Sequence, residues 1–212
     1  MASKEEIRAS HRARRAALTP ALLESAGAGL ARHGFAWATG LTGGSPGTLA
    51  AYLGVGSEPP TLPLLAALHN AGHQVLLPVC EPNRALSWVC WTPASQFVRS
   101  RYAPIQEPAG ERHDTALMQH TDGIFLPATA VDFSGNRIGQ GGGYYDKFLA
   151  ALADLFPPGT PEAGAGVLPP VPTAAVVYDG EVLPAGSIPA EPFDREVAAA
   201  LTPAGLLPLR QR

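Results

Sequence analysis

Residues Gly135 to Gly143 read GNRIGQGGG, five glycines in nine positions, and the chain then turns at once to YYDKFLAAL. Tyr145, Phe148, Leu149, Leu152 and Phe156 recur at spacings of three and four, which predicts one buried face of a helix starting near Gly143. Gly139, Gln140, Gly141, Gly142 and Gly143 therefore sit at a helix mouth. Amides there lack intrahelical partners and the helix dipole is positive, so an anion is favoured. Glycine also lets a bulky phosphate reach the main chain with no Cβ in the way. Arg137 before the loop and Lys147 after it can add charge to a bound phosphate. Asp146 is a poor phosphate contact, but it can hold a Mg²⁺ that bridges carboxylate and phosphate oxygens. The loop lacks the Lys-Ser or Lys-Thr of a P-loop and does not match G-x-G-x-x-G in a first βαβ unit. From glycine content alone, a phosphate site and a surface turn built for positive φ angles both stay open.

The elements around this loop predict a parallel α/β fold. Ser3 followed by Glu6 fits a capping box for a first helix over Ser3 to Leu18, and a second helix is expected from Ala21 to Ala38, closed by Gly40. LAAYL, a helix near Leu62 to Asn70 and QVLLPV give a strand–helix–strand order. ALSWVCW follows through EPNR as another strand, SRYAPIQEPAGERHD reads as loop, the Gly-Ile-Phe-Leu core of DGIFLPATAV as a buried strand and TAAVVY as the next. Pro157 to Pro172, mostly Pro, Gly and Ala, can be neither a helix nor a central strand and is expected as a surface insertion.

With 212 residues, 46% apolar and 16% charged, the chain suits one globular domain over 1–212. A net charge of −3 gives no case for a nucleic-acid partner, and no apolar run is long enough for a bilayer. The N-terminus has no apolar segment of secretory type, so a cytoplasmic protein is expected. Cys80 and Cys90 make neither a disulfide framework nor a zinc site and are expected as reduced core residues.

Other polar residues have ordinary structural readings. Lys4 and Arg8, four apart beside Arg12 and Arg15, could form a solvated basic face. Glu58 could complement a helix dipole, Asp132 could shape a turn, and Asp194, before an Ala-rich stretch expected to be helical, could be an N-cap. His69 and His73 lack the context of a zinc helix, and Trp88 and Trp91 are expected in the core.

The run ATAVDFSGNRIGQGGGYYDKFL resembles the signature of the 5-formyltetrahydrofolate cyclo-ligase (methenyltetrahydrofolate synthetase) family, roughly A-F-D-x-x-G-x-R-L-G-x-G-x-G-Y-Y-D-[RK]. Asp132, Gly135, Arg137, Gly139, Gly141, Gly143, Tyr144, Tyr145, Asp146 and Lys147 fall in place, while Val131 and Ile138 replace Phe and Leu. Lys4 and Arg8 match an N-terminal K-x-x-x-R, Glu58 matches a glutamate ahead of an apolar helix, and Pro189, Glu191 and Asp194 match P-x-E-x-x-D. Two departures stand out: a frequent Gln is replaced around Val177, Tyr178 and Glu181, and Val197 and Ala198 replace a trailing acidic residue.

The resemblance implies a three-layer Rossmann-like fold, a mostly parallel sheet with helices on both faces, as in ribose-5-phosphate isomerase and CoA-transferase relatives. It implies ATP-dependent conversion of 5-formyltetrahydrofolate to 5,10-methenyltetrahydrofolate, with Arg137, Tyr144 and Lys147 catalytic; Lys4, Arg8, Arg137, Gly139 to Gly143 with Gln140, Tyr144, Tyr145 and Lys147 on ATP; Glu58 and Tyr144 on the folate; Asp146 and Asp194 on Mg²⁺. The partners implied are small molecules, with no nucleic acid or membrane, and a monomer is expected. A non-catalytic nucleotide- or folate-binding relative, and an ATP-dependent enzyme of the same fold with another substrate, remain open at this point.

Overall fold

The computed structural model describes residues 2–156, 171–191 and 194–209. The expected Pro/Gly-rich insertion lies, over residues 157–170, outside the described residues.

Helix α1 (Lys4–Ala16) opens on the capping box: Glu6 N donates to Ser3 Oγ at 3.2 Å and Ser3 N donates to Glu6 Oε2 at 2.7 Å. Helix α2 (Pro20–Thr42) starts with Thr19 as cap and Pro20 in its first turn, and ends on Gly43 at φ 61°. It runs past the expected stop at Gly40, because one glycine costs a helix only about 1 kcal/mol against alanine and the left-handed cap comes three residues later.

Strand β1 (Thr48–Ala50), helix α3 (Leu62–Asn70) and strand β2 (Gln74–Cys80) form the expected parallel unit, followed by β3 (Leu86–Trp91), antiparallel to β2. The segment expected as loop, 100–114, contains a strand, β5 (Gln106–Pro108), which pairs antiparallel with β4 (Phe97–Arg99) just before that segment. The GIFL core of DGIFLPATAV is the expected buried strand, β6 (Gly123–Pro127), and the chain goes on to a further strand, β7 (Ala130–Asp132), which belongs to a different sheet. Pro127 supplies no N–H to a continuing ladder, so the chain leaves the sheet there. Next come β8 (Arg137–Ile138), α4 (Tyr144–Asp154), β9 (Thr173–Val176) and β10 (Val182–Leu183). Where a helix was expected after Asp194, the Ala-rich run instead forms β11 (Ala199–Thr202), paired with β9 and with β12 (Gly205–Pro208). Small side chains fit a strand buried on both faces, and that burial overrides the helix preference of alanine.

The main sheet has the order β12-β11-β9-β6-β1-β2-β3, with five parallel strands in the middle and antiparallel strands at both edges. The fold is therefore the expected mostly parallel α/β class. Strand residues alternate between two cores. Leu49, Val75, Leu77, Phe125, Ala174, Val176 and Leu201 pack with Leu30 and Ala38 of α2 and Leu64, Leu65 and Leu68 of α3. Ala50, Leu76, Ile124, Leu126, Ala175 and Ala200 pack with Phe148, Leu149 and Leu152 of α4 and with Trp88 and Met118. A period of two in buried strands thus feeds both helix layers. Trp88 and Trp91 are core residues as expected; Cys80 is buried, but Cys90 is exposed, because β3 is an edge strand.

A second, smaller sheet, β10-β7-β8, lies under α1, sealed by Ile7, Ala130, Ile138 and Ile188. Arg15 fastens α1 there: its Nε and Nη2 donate to the two carboxylate oxygens of Glu181 at 2.7 Å, and Nη2 also donates to Ala128 O at 2.8 Å. Asp132 is fully buried and accepts from Ser134 N, Asn136 N and Ile188 N, so it shapes the turn into the glycine loop. This small sheet holds α1 and the glycine loop side by side.

Candidate active site

From β1 the chain moves to β2 on one side, and from β6 it moves to β9 on the other, so the strand order switches direction between β1 and β6. Crevices at the carboxyl ends of such strands are where open α/β sheets bind ligands. A cleft of about 980 Å³ lies there, walled by Tyr52 and Glu58 after β1, Pro78 and Cys80 at the end of β2, and Pro127 at the end of β6. The loop Gly139 to Gly143, the first turn of α4, Lys4 and Arg8 of α1, and Asp194 near the C-terminus complete it. All the residues expected on the site thus line one cavity.

Gly141 at φ 95° and Gly143 at φ 72° hold the left-handed conformations that carry the loop into α4, with Gly143 as the N-cap. Among the described residues, no acceptor takes the amides of Gly139 to Gly143. Arg8 Nε donates to Gly139 O at 2.9 Å, which ties α1 to the loop.

Each expected cation has a partner. Arg137, buried, donates through Nη2 to Asp146 Oδ1, while its Nε is buried without a partner. Lys4 Nζ lies 2.6 Å from Asp194 Oδ2 and 3.1 Å from Glu191 Oε2. Burial opposes the charge on Lys4, but hydrogen bonds to Asp194 and Glu191 outweigh it and hold the ammonium above its usual value. Lys147 Nζ donates to Asn83 O at 2.7 Å.

Glu58 sits on the opposite wall. Its Oε2 accepts from Val55 N at 3.1 Å and its Oε1 accepts from Gln140 Nε2 at 3.4 Å, across the cleft mouth. Burial raises its pKa against these hydrogen bonds. Tyr178 hydroxyl donates to Glu58 O at 3.3 Å, so Tyr178, in the region where the family often has a Gln, supports the backbone of the glutamate. Tyr144 hydroxyl donates to Tyr102 O at 3.3 Å. Tyr145 packs on the core as expected, yet it also lines the cleft, and its buried hydroxyl has no partner.

Cys80 also reaches the cleft. Burial, then the neighbouring Glu107 carboxylate, pushes its thiol up to about 12, so at neutral pH it is a thiol and no nucleophile. Tyr52, Cys80, Arg84, Glu191 and Arg195 line the cleft without having been expected on it from sequence. Only Glu191 carried a signal, its place in P-x-E-x-x-D; the others arrive through strand order and turn geometry.

Among the described residues, no group of three His, Cys, Asp or Glu side chains could hold a metal by itself. A Mg²⁺ needs less, since one or two carboxylates with substrate phosphates and waters suffice. Asp146 offers that, being partly exposed with one oxygen engaged by Arg137. Asp194 accepts from both Lys4 Nζ and Glu191 N through Oδ2. The donor set fits a phosphate-bridged Mg²⁺.

The sequence model of the 5-formyltetrahydrofolate cyclo-ligase family matches residues 1–203. The chain belongs to this family. A 5-formyltetrahydrofolate cyclo-ligase of Mycolicibacterium smegmatis is 37% identical over 169 residues, 77% of each chain. One from Escherichia coli is 36% identical over 104 residues, 48% of this chain and 57% of the relative. Two solved cyclo-ligase-family structures share the fold. The 5,10-methenyltetrahydrofolate synthetase of Mycoplasma pneumoniae has a TM-score of 0.68 at 15% identity, covering 95% of this chain and 99% of that one. The Aquifex aeolicus synthetase has a TM-score of 0.68 at 23% identity, covering 99% and 94%. Membership places the chain among the ligase enzymes of folate one-carbon chemistry. Among the described residues, no helix is long and apolar enough to cross a membrane.

Proposed function

We propose that the chain catalyses ATP- and Mg²⁺-dependent conversion of 5-formyltetrahydrofolate to 5,10-methenyltetrahydrofolate, with release of ADP and phosphate. The observation that carries this is one cleft, in a cyclo-ligase family member, with a glycine loop and cations on one wall and Glu58 on the other. It takes residues 1–212 as one catalytic domain, a cytoplasmic monomer acting on small molecules, with no nucleic-acid or membrane partner.

The formyl oxygen attacks the γ-phosphorus of ATP; an O–P bond forms and the P–O bond to ADP breaks. The formyl oxygen has then become part of a good leaving group. N10 attacks the formyl carbon and loses its proton, the C–O bond breaks, and phosphate leaves with the bonding pair. Protein need do little covalent work in such a transfer beyond positioning and charge neutralisation.

The amides of Gly139 to Gly143 face the phosphates, with Gln140 over the mouth and Tyr145 beneath the loop. Arg137, Lys4, Arg8 and Lys147 supply positive charge around them. Mg²⁺, held by Asp146 and Asp194, would neutralise phosphate charge and fix the transfer geometry. Glu58 accepts hydrogen bonds from N–H groups of the reduced pterin. Tyr144 lays its ring beside the folate and directs its hydroxyl to the formyl or phosphoryl oxygen.

The test is to mix the protein with 5-formyltetrahydrofolate and Mg·ATP and follow the absorbance of the methenyl product. Product formation that requires ATP is expected. Retained ATP binding without product overturns the proposal, and phosphate release driven by another substrate replaces it.

A further inference from the structure

We propose that Arg84, on the turn between β2 and β3, is a phosphate-contacting residue of this site, and that Lys147 is its positioning residue. The proposal rests on the nucleotide reading above and adds a residue which the glycine-loop pattern does not contain.

Arg84 is exposed, lines the cleft, and arrives at the glycine loop from the opposite wall. Its Nη1 lies 3.4 Å, and its Cδ 3.6 Å, from the point where a Cβ on Gly143 would stand. The bare backbone of Gly143 thus lets the arginine lie across the start of α4, beside the amides that favour an anion. A guanidinium offers a planar fork suited to phosphate oxygens.

Arg137, Lys4 and Arg8 each already engage a carboxylate, and Lys147 engages a carbonyl. Arg84 makes no hydrogen bond or ion pair with another described residue. Its donors are therefore free for a ligand without breaking an internal contact.

The turn that presents it is held in an unfavourable shape. Asn83 at φ 59° and Arg84 at φ 60° are the two non-glycine residues with positive φ among the described residues. Successive left-handed residues persist where the surroundings impose them, and such outliers gather at functional sites. Here Glu81 N donates to Ala85 O at 2.9 Å, Ala85 N to Pro82 O at 3.2 Å, and Lys147 Nζ to Asn83 O at 2.7 Å. Lys147, one turn into α4, thus fastens the turn to the helix whose N-terminus Arg84 covers. Lys147 therefore adds its charge near the phosphates and also acts through Arg84, by holding the turn that presents it.

The experiment uses the full chain with Arg84→Ala, Arg84→Lys, Arg84→Gly, Lys147→Met and the Arg84→Ala/Lys147→Met pair. Binding of a non-hydrolysable Mg·ATP analogue is measured by calorimetry, beside steady-state kinetics and thermal unfolding. Arg84→Ala is expected to weaken nucleotide binding or kcat/KM for ATP about 10- to 100-fold, the scale of a charge-assisted hydrogen bond, with KM for the folate within about twofold. Arg84→Lys should recover part of the loss. Arg84→Gly should lose nucleotide affinity while its Tm holds or rises, since glycine accepts the φ. Lys147→Met should cost less than Arg84→Ala and add little to it, as a residue acting through Arg84 would. Unchanged nucleotide binding and turnover in Arg84→Ala overturns the proposal. So does a loss confined to KM for the folate, which would assign the guanidinium to folate carboxylates. Wild-type protein that binds no ATP overturns the nucleotide reading and this proposal together, whereas wild-type binding matched by Arg84→Ala removes this proposal alone.

Discussion

Lys4 Nζ and Asp194 Oδ2 meet at 2.6 Å although 190 positions separate them in the chain. The contact joins the first turn of α1 to the segment before β11 and fixes one edge of the cleft. Lys4→Met should raise KM for ATP about 10- to 100-fold, the scale of a hydrogen bond to a charged group. Because the folded-state pKa of Lys4 lies above the usual value of 10.5, the pair's stability contribution is fully present below that pH and fades as pH rises through the raised value. Kinetics at varied ATP and an alkaline unfolding series check both statements.

Asp146 takes its place from Arg137, whose buried guanidinium it partners from the first turn of α4. Asp146→Asn should leave the chain folded but with a lowered Tm, since the buried Arg137 loses the counter-charge of a partly exposed partner, and should lower Mg²⁺-dependent kcat by about two orders of magnitude. Circular dichroism beside a Mg²⁺ titration of turnover is the measurement. Activity that persists would remove the metal assignment.

Glu58→Gln should act in opposite directions on stability and activity. Burial raises the folded pKa of Glu58, so its charged form destabilises the fold as pH climbs above the usual 4.5 and through the raised value. The amide should therefore raise Tm at pH 7 to 8, with a gain that shrinks below about pH 4.5, and should weaken folate use with little change in KM for ATP. Paired melting curves and substrate titrations would show it.

Arg15 and Glu181 form a buried, doubly hydrogen-bonded pair that holds α1 on the small sheet. Glu181→Gln leaves a buried guanidinium without its counter-charge and should cost about 3–5 kcal/mol in urea unfolding. The same pair explains why Arg15, in phase with Lys4 and Arg8 on the helix, belongs to the structure and not to the phosphate site.

Two glycines of α2 should respond with opposite signs. A Cβ on Gly29 would stand 2.3 Å from Pro203 O, a backbone atom that cannot swing away, so Gly29→Ala should lose about 1–3 kcal/mol. A Cβ on Gly40 meets nothing within 4 Å, so Gly40→Ala should gain about 0.5–1 kcal/mol from helix propensity. Tm measurements separate the two.

Local signals in the chain were legible where one stretch both forms and caps its own element. Ser3 with Glu6, the apolar rhythm of α4, the β1–α3–β2 order and the glycine loop were all visible, because their causes lie within a few residues. Sequence alone also placed the family signature, and with it Lys4, Arg8, Glu58, Arg137, Asp146 and Asp194 as a set. It misread AAAL as helix, and it found the GIFL strand but not the second strand, β7, that follows it. Alanine's helix preference yields to a two-sided sheet position, and the break after Pro127 depends on where a second sheet sits.

What only the tertiary structure decided is which charges are already spoken for. Arg137 faces Asp146, Lys4 faces Asp194, Arg15 faces Glu181 and Lys147 faces a carbonyl, whereas Arg84 is left open. Residue type and spacing determine that a charge exists and on which element it rides. Its partner is set by the crossing of β1 and β6 and by the small sheet under α1, which bring distant segments within hydrogen-bond range. Coulomb and hydrogen-bond energies fall off over a few ångströms, so that last step is a property of the packed chain and not of its order of residues.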